Sequence, residues 1–272
     1  MEFFTLLIQT VILRPYVFFF LAISLFVSRR LLGWKRTGFM FGITWVTAFL
    51  SEFFSTRIGF PFGEYYYTGS TVGEELYISN IPFMDSLSFT FLLHASYCMA
   101  LVFVLSRCQV GSSSGWDLNR NDRTSWPVIL LTTLFMTFID IVIDPVALRG
   151  ERWFLGLIYG YPHPGVYFGI PLANFLGWAT VGITSIGIYC ALDRFQWGAF
   201  PLPQKIVSRN LLLGVALYYL VLLFNLAVTF WIGEYLLGMV GCMIYLPISI
   251  LLMLRILSRI PRMTLRNPSE AT

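Results

Sequence analysis

Seven runs of apolar residues divide this chain, and they constrain its fold more than any other feature of the sequence. They cover residues 3–27, 38–54, 81–106, 126–143, 170–192, 211–232 and 235–257. Most reach the ~20 residues that a helix needs to cross ~30 Å of hydrocarbon. Charged residues make up only 12% of the chain, whereas a soluble domain has about 25%. The pattern predicts an all-α integral membrane protein, with one transmembrane domain over residues 1–272 built as a bundle of about seven helices.

The first run is interrupted by Arg14-Pro15. Residues 2–13 could belong to the first span, or they could lie in the membrane interface before a span that begins near Pro15. Both interpretations give the same topology for the rest of the chain.

Basic residues alternate between the predicted loops. Fourteen of the 18 Lys and Arg residues follow the first, third, fifth and seventh runs. They are Arg29, Arg30, Lys35, Arg36, Arg107, Arg120, Arg123, Arg194, Lys205, Arg209, Arg255, Arg259, Arg262 and Arg266. Because positively charged loops stay on the cytoplasmic side, we expect the N-terminus outside and the C-terminus in the cytoplasm. The net charge of +4 then reflects loops that face anionic headgroups, and no nucleic-acid partner is predicted.

Acidic residues show the opposite bias. Ten of the 14 fall on or near the predicted outer half of the bundle. They are Glu2, Glu52, Glu64, Glu74, Glu75, Asp85, Asp140, Asp144, Glu151 and Glu234. Carboxyl groups are costly in a membrane and usually functional there, so this face is a candidate for acid–base chemistry.

Two predicted outer loops, residues 55–80 and 145–169, are rich in Gly, Pro and Tyr. They are too apolar for plain solvated connectors, and we expect them to fold back over the bundle as a lid or as re-entrant segments. By contrast, residues 111–115 (GSSSG) are typical of a flexible cytoplasmic linker. Aromatic residues make up 18% of the chain. They suit interfacial belts, and they also suit a cavity for a long isoprenoid or conjugated ligand.

Asp140 and Asp144 are spaced i, i+4 and therefore share one face of the fourth predicted helix. Two neighbouring carboxyls in a low-dielectric site repel each other when both are ionised, so one is expected to hold its proton near neutral pH. Pro145 is expected to end the helix and to push Asp144 toward an extended conformation. The alternative is that Asp144 meets water at the helix end and pairs with Arg149 or Arg152.

Three further carboxyls are candidates for the site, and two of them, Glu52 and Asp85, have two open interpretations. Glu52 lies near the end of the second run, where Arg57 could neutralise it or where it could serve a site. Glu64 lies in the motif FPFGEYYY, and we expect it to form a site wall together with Phe60, Phe62, Tyr65 and Tyr67. Asp85 could cap the third helix, since Asp is favoured at that position, or it could bind substrate.

Two more features are predicted on the outer face. Glu74 and Glu75 are expected to form a solvated face. Asn174 and Trp178 are again spaced i, i+4, and a buried Asn must be hydrogen-bonded. Asn174 is therefore expected either to orient a carboxyl or water, or to bond neighbouring backbone.

Several classes of site are excluded by the motifs that are missing. His94 and His163 are the only histidines and form no metal-binding pair, and the four cysteines are widely separated. No GxGxxG motif follows a strand, so no flavin or nicotinamide domain is predicted. No GxSxG motif is present to form a nucleophile elbow. The DxxxD pair resembles half of the magnesium–diphosphate site of membrane prenyltransferases, but the second Asp-rich motif is absent. The sequence thus predicts no metal and no cofactor, and it leaves cofactor-free acid–base chemistry, transport or scaffolding.

Four motifs carry a resemblance to a known family. In order they are EFFSTRIGFPFGEYYYTG, IPF, DIVIDPVALRGERW and YFGIPLANFLGW. They resemble the motifs of the bacterial and archaeal carotenoid-biosynthesis membrane family that includes the carotenoid 1,2-hydratases, which act on lycopene-type and C50 bacterioruberin-type ends. The resemblance covers about residues 40–192. The segment MDSLSFTFLLHASY departs from the more apolar, Trp-containing stretch expected after IPF, which leaves the substrate end-group open.

The resemblance implies a cofactor-independent hydratase in the cell (inner) membrane, with a hydrophobic polyene as substrate and other enzymes of the same pathway as candidate partners. The expected reaction is hydration of the terminal C1,2 double bond of an acyclic carotenoid. The expected proton donor is Asp140, with Asp144 and Glu52 as base or cation stabiliser, and with Asn174 and Tyr65 positioning water. The catalytic set is completed by Glu64, and the expected substrate-binding residues are Phe60, Phe62, Tyr65, Tyr67, Asp85, Trp153, Tyr167 and Trp178. The alternatives are a carotenoid end-group cyclase and a non-enzymatic isoprenoid-binding or transport protein.

Overall fold

The computed structural model describes residues 2–110, 113–195 and 206–258; Lys205, Arg259, Arg262 and Arg266 lie outside these ranges. In chain order the helices are α1 (Glu2–Leu13), α2 (Pro15–Leu32), α3 (Trp34–Ile58), α4 (Phe83–Val104), α5 (Arg120–Arg123), α6 (Trp126–Ala147), α7 (Leu172–Phe195), α8 (Arg209–Trp231) and α9 (Tyr235–Leu257). Seven of them, all except α1 and α5, are long and apolar enough to cross a membrane. The predicted all-α membrane bundle is therefore confirmed, and the chain is a multi-pass membrane protein.

The first apolar run is divided between two helices. Helix α1 ends at Leu13 and α2 begins at Pro15, because proline favours the first position of a helix and disrupts an interior one. At 12 residues, α1 is about 18 Å long and too short to span the hydrocarbon core.

Helix α4 lies at the centre of the bundle. It is buried at almost every position from Met84 to Val102, and it packs against α2, α3, α6 and α8. Its sequence is mostly apolar and has no distinct polar face, as expected for a helix surrounded by other helices. Around it, α6 packs against α7 and α7 packs against α3.

Short strands join the loops at the two ends of the bundle. They are β1 (Tyr66–Tyr67), β2 (Tyr77–Ile78), β3 (Ile81–Pro82), β4 (Arg107–Val110), β5 (Ser113–Asp117), β6 (Tyr159–Gly160) and β7 (Ile206–Val207). The antiparallel pairing of β1 with β6 places Tyr66 opposite Gly160 and Tyr67 opposite Tyr159. This pairing fastens the two Gly/Pro/Tyr-rich loops to each other across one end of the bundle.

The expected flexible linker is wrong for the part that the structure describes. Residues 111 and 112 lie outside the described ranges, but Ser113–Asp117 form β5, which pairs with β4 and β7. Trp116 explains why this segment is packed as a strand. Its side chain is buried, and the guanidinium of Arg107 lies 5.2 Å from its ring centroid.

The same end of the bundle carries a buried ion cluster. The carboxylate of Asp193 on α7 accepts from Arg36 Nε of α3 at 2.8 Å and from Arg123 Nε of α5 at 2.9 Å. All three side chains are almost completely buried. The cluster ties α3, α5 and α7 together at the end opposite the tyrosine-rich loops.

The expected end of the fourth predicted helix at Pro145 is also wrong. Helix α6 continues to Ala147 with Pro145 inside it, so Asp144 remains helical. Proline near a helix end removes few backbone hydrogen bonds. The Leu148 amide still donates to the Asp144 carbonyl at 2.8 Å, and Arg149 Nη1 donates to the Pro145 carbonyl at 2.8 Å.

Candidate active site

Two helical hairpins face each other at the end of the bundle that the tyrosine-rich loops cover. Helices α3 and α6 end there, and α4 and α7 begin there, so polar residues near these four helix ends converge. Between them lies a cavity of about 130 Å³. Its lining residues are Tyr16, Val17, Phe20, Glu52, Phe62, Tyr65, Tyr67, Met84, Asp85, Ser88, Phe89, Phe91, Leu92, Ile143, Asp144, Ala147, Trp153, Leu155, Ile158, Tyr159, Tyr161, Asn174, Trp178, Val221, Phe224 and Asn225.

A hydrogen-bonded group of two carboxyls and one amide lies at one wall of the cavity. Asn174 Nδ2 donates to Asp144 Oδ2 at 2.5 Å and to Asp140 Oδ2 at 3.0 Å. Both carboxyls therefore lie on the face of α6 that meets α7, as the i, i+4 spacing predicts. Asp144 and Asn174 line the cavity. Asp140 is fully buried one turn deeper in the bundle, and its Oδ1 has no hydrogen-bond partner among the described residues.

The expected alternative partners of Asp144 are engaged elsewhere. Arg149 Nε lies 3.1 Å from Glu234 Oε1, and Arg152 also pairs with Glu234. The pairing of Asp144 with Arg149 or Arg152 is therefore wrong for this structure.

The opposite wall carries two more carboxyls. Glu52, buried on α3, accepts a hydrogen bond from the Ser86 hydroxyl. Asp85 Oδ2 accepts from the Tyr67 hydroxyl at 2.6 Å. Both line the cavity.

Two of the sequence-based alternatives for Asp85 and Glu52 are wrong. Asp85 does not cap α4, because the N-cap residue is Pro82 and the carboxyl is turned to Tyr67. Arg57 does not neutralise Glu52, since its guanidinium donates to the Phe53 carbonyl and to the Thr56 and Ser79 hydroxyls.

Four tyrosines from the two loops close the cavity above these carboxyls. The Tyr65 ring centroid lies 5.4 Å from that of Tyr67 and 6.3 Å from those of Tyr159 and Tyr161. Burial raises the pKa of the Tyr65, Tyr67 and Tyr159 hydroxyls well above its usual value, and the carboxyls below raise it further. The phenols consequently stay neutral, and act as hydrogen-bond donors, at any physiological pH.

A buried ion pair holds the two loops against the start of α2. Arg14 is fully buried and donates through Nη2 to Glu75 Oε1 at 2.9 Å and through Nη1 to the Leu155 carbonyl at 2.5 Å. Thr10 Oγ1 accepts from the Leu76 amide at 2.7 Å. The expectation that Glu75 forms a solvated face is wrong, because this glutamate is 1% exposed. Glu74 is exposed as expected.

The other end of the cavity is apolar and aromatic. The Tyr16 and Phe224 rings are stacked with centroids 5.4 Å apart, and Phe20 contacts Phe224 at 5.7 Å and Phe91 at 5.8 Å. Trp153 lies beside them, with its Nε1 donating to the Val146 carbonyl at 3.0 Å. The cavity thus runs from a polar, acidic end to an aromatic end between α2, α4 and α8.

Most of the sequence-predicted site residues meet at this cavity, and a few do not. Phe62 and Trp178 line it, with Trp178 stacked on Phe89 at 4.2 Å between ring centroids. Glu64 and Phe60 are exposed and do not line it. Tyr167 is half-buried outside the lining and packs on Phe175.

The sequence-based prediction missed many of the lining residues, among them residues of the second outer loop, α2 and α8. Tyr159 and Tyr161 belong to the second outer loop, whose Gly/Pro/Tyr composition was a sufficient signal to include them. Tyr16 and Phe20 of α2, and Phe224 and Asn225 of α8, lie outside the recognised motifs. An aromatic residue in an apolar span carries no local signal that it faces a cavity rather than lipid.

The described lining carries three carboxyl groups and no Lys, Arg or His. In the part of the chain that the structure describes, no three His, Cys, Asp or Glu side chains are grouped closely enough to hold a metal ion. The chemistry that this arrangement offers is therefore proton donation and acceptance by carboxyls beneath aromatic rings.

The comparisons with known proteins agree with the resemblance seen in the motifs. A family model described as "carotenoid biosynthesis protein" matches residues 5–248, a longer stretch than the motif-bearing core. No curated protein and no solved structure gave a significant match. Since the family model spans most of the chain, including all four helices that position the carboxyls, the protein belongs to the carotenoid biosynthesis protein family.

Proposed function

We propose that the protein hydrates the terminal trisubstituted double bond of an acyclic carotenoid and yields a tertiary alcohol. The observation that supports this most is the pair of carboxyl walls. Asp144 on one side and Glu52 with Asp85 on the other face a single aromatic cavity. Addition of water to an alkene needs one group that gives a proton and another that takes one, at different positions around the substrate.

The proposed reaction begins at Asp144. Its carboxyl, rather than that of Asp140, reaches the cavity, so it is the group that would transfer a proton to the less substituted alkene carbon. The electron pair of the double bond forms the new C–H bond and leaves a tertiary carbocation. Asp140 is then a positioning residue, which acts on Asp144 through the shared Asn174 amide.

A water molecule completes the reaction from the other wall. Its oxygen attacks the cationic carbon, and Glu52 or Asp85 accepts the proton that the resulting oxonium loses. The Tyr67 hydroxyl, already bonded to Asp85 at 2.6 Å, is suited to holding that water. Tyrosine faces above the site stabilise the cation electrostatically. Proton exchange with solvent returns Asp144 to its protonated form and the accepting carboxyl to its ionised form, so the net change is the addition of one water.

The size and polarity of the cavity support end-on binding of the substrate. A volume of about 130 Å³ holds roughly ten waters at the 10–15 Å³ that one water requires. That suits an isoprenoid end-group with a water, and the remaining polyene would extend past the aromatic end into the bilayer, which we take to be the cell (inner) membrane.

The test is to incubate the purified protein in detergent with lycopene and no added cofactor, with and without EDTA. We expect a product heavier than the substrate by one water, and we expect EDTA to leave the rate unchanged. A converted product of unaltered mass would identify an end-group cyclase instead. Bound lycopene recovered unchanged would identify a binding or transport protein. Loss of activity in EDTA with rescue by Mg²⁺ would contradict the metal-free mechanism.

A further inference from the structure

Four loop tyrosines, Tyr65, Tyr67, Tyr159 and Tyr161, all line the cavity and form an aromatic cluster there, which we call the cage. Tyr65 is at its centre, with Tyr67, Tyr159 and Tyr161 each within 6.3 Å between ring centroids. Tyr159 and Tyr161 also meet edge to face at 5.9 Å. A cation that lies over the face of such a ring is attracted by the negative charge of its π-system.

The charges around the cage favour the same kind of ligand. Glu52, Asp85 and Asp144 line the cavity, and the described lining contributes no basic side chain. The nearby Arg14 is fully buried and bonded to Glu75, so its charge is already neutralised. Hydrogen bonds to the lining carboxyls come from neutral donors, namely the hydroxyls of Ser86 and Tyr67 and the amide of Asn174. In the proposed reaction Asp144 is protonated, whereas Glu52 or Asp85 is the ionised base, and a positive ligand would supply the counter-charge of that base.

The apolar end of the cavity indicates what the cation is attached to. Tyr16, Phe20 and Phe224 continue the cavity away from the carboxyls. The polar groups on these elements, the Tyr16 hydroxyl and the Asn225 amide, are uncharged, and the described lining has no basic side chain to pair with a phosphate. A ligand that fills both ends has a compact, weakly hydrated cation joined directly to a hydrocarbon chain.

We propose that the cavity binds tertiary and quaternary ammonium compounds that carry an isoprenoid chain, with the nitrogen in the cage of Tyr65, Tyr67, Tyr159 and Tyr161. The inference rests in part on the proposed function, because the tertiary carbocation of the hydration reaction is the transient cation that the same cage would hold. A stable ammonium ion of that shape is a lasting mimic of it, so it also inhibits the enzyme in competition with the polyene.

The experiment compares two probes that differ only in charge. One is geranyltrimethylammonium, and the other is the neutral analogue in which a tert-butyl group replaces the trimethylammonium. Binding to the purified full-length protein in maltoside micelles is followed by the change in intrinsic tryptophan fluorescence, to which Trp153 and Trp178 of the cavity lining contribute. We expect the cation to bind at least about tenfold more tightly than its neutral analogue. Equal affinities would overturn the proposal.

Substitutions of single tyrosines test whether the ammonium nitrogen of the probe lies in the cage. Tyr161→Leu removes a ring from the cage and should reduce the preference for the cation several-fold, whereas Tyr161→Phe keeps the ring and should retain it. Tyr66→Leu is the control, because Tyr66 lies in strand β1, which pairs with β6 next to Tyr161, but its side chain is exposed outside the cavity. A preference that survives Tyr161→Leu, in protein that still folds, contradicts the assignment of the cage.

Two further measurements separate the possible sources of cation binding. Glycerophosphocholine carries the same headgroup cation without an isoprenoid chain, and we expect no saturable binding; affinity equal to that of the geranyl probe would identify a lipid-headgroup site and overturn the proposal. Lycopene turnover is measured on the same preparation. Preferential cation binding without hydration would refute the proposed function alone, and hydration without cation preference would refute this inference alone.

Discussion

At the scale of single residues, the site depends on which carboxyl oxygens reach the cavity. Asp140 and Asp144 are equivalent in sequence spacing, yet only Asp144 lines the cavity, while Asp140 is held one turn deeper by the shared Asn174 amide. The two residues should therefore respond differently to the same substitution.

We predict that Asp144→Asn lowers the hydration rate about 10²–10⁴-fold, because it removes the proton donor. Asp140→Asn should have a smaller effect and should shift the pH profile of the rate, since it changes the charge beside the donor without removing it. Product analysis with lycopene measures both. Glu74→Gln, at an exposed glutamate of the covering loop, is the control. Full activity of Asp144→Asn would remove Asp144 from the mechanism.

A second prediction at this scale concerns Gly177 on α7. A methyl group added there would collide with the ring and backbone of Phe62, which lines the cavity. We expect Gly177→Ala to destabilise the protein by about 1–3 kcal/mol and to lower activity by displacing Phe62. Gly187→Ala is the matched control in the same helix: its methyl group meets nothing within 4 Å, so it should be neutral or slightly stabilising. Thermal unfolding in detergent distinguishes the two, and equal melting temperatures would contradict the packing argument.

At the scale of elements, the covering loops depend on partners far away in sequence. The buried Arg14–Glu75 pair joins the start of α2 to the first loop, and the bond from Arg14 to the Leu155 carbonyl joins it to the second. One guanidinium therefore anchors both halves of the lid.

We predict that Arg14→Met or Glu75→Gln destabilises the protein by about 3–5 kcal/mol, because each leaves a buried partner uncompensated. The double variant Arg14→Met/Glu75→Met should be destabilised by less than the sum of the single variants. Unfolding in detergent tests this, with the exposed Arg57→Met as control. Additive losses would show that the two side chains are not coupled.

The second loop is also tied to the turn between α8 and α9 through Glu234. Partial burial acts to raise the pKa of this carboxyl, but Arg149 and Arg152 outweigh burial and hold the pKa below its usual value. A carboxyl with a lowered pKa in the folded state stabilises the protein above its unfolded-state pKa, and that contribution is lost as the pH falls through the folded-state value.

We therefore predict that Glu234→Gln lowers stability at neutral pH by no more than about 1 kcal/mol, as for partly exposed pairs. The difference from the unsubstituted protein should shrink as the pH falls below the model-peptide value of 4.5. Melting temperatures of both proteins from neutral to acid pH measure this. A difference that grows on acidification would contradict the ion pairing.

At the scale of the whole molecule, the candidate site and the buried ion cluster of Asp193, Arg36 and Arg123 lie at opposite ends of the bundle. The excess of basic loops at the Asp193 end predicts that this end is cytoplasmic. The hydration site would then open near the outer face of the membrane.

This orientation can be tested by labelling single introduced cysteines on intact cells with a membrane-impermeant maleimide. We expect Glu74→Cys, in the first covering loop, to react from outside and Ser114→Cys, at the other end, to react only after lysis. Both native residues are exposed. The unsubstituted protein controls for Cys242, the exposed native cysteine. The reverse labelling pattern would show that the site faces the cytoplasm.

Much of the fold follows from local sequence properties. The length of each apolar run is set by the thickness of hydrocarbon that a helix must cross, and the break at Arg14-Pro15 follows from the backbone limits of proline. The i, i+4 spacing of Asp140 and Asp144 places them on one face of α6, because a helix turns once in 3.6 residues. These properties depend on neighbours within a few positions, so the sequence alone indicated them. Whether residues 2–13 join the first span stayed open in the sequence, and the structure decided it by ending α1 at Leu13.

Only the tertiary structure decided which of these residues work together. Glu75 is buried because Arg14, far away along the chain, is packed against it, and no local pattern distinguishes it from the exposed Glu74. Asp85 faces Tyr67 instead of capping its own helix, and α2 and α8 contribute Tyr16 and Phe224 to a cavity that no motif marks. Hydrophobicity determines that a residue lies in the membrane, but whether it meets lipid, a neighbouring helix or a substrate cavity depends on how the helices pack, because burial and pairing are relations between segments distant in the chain.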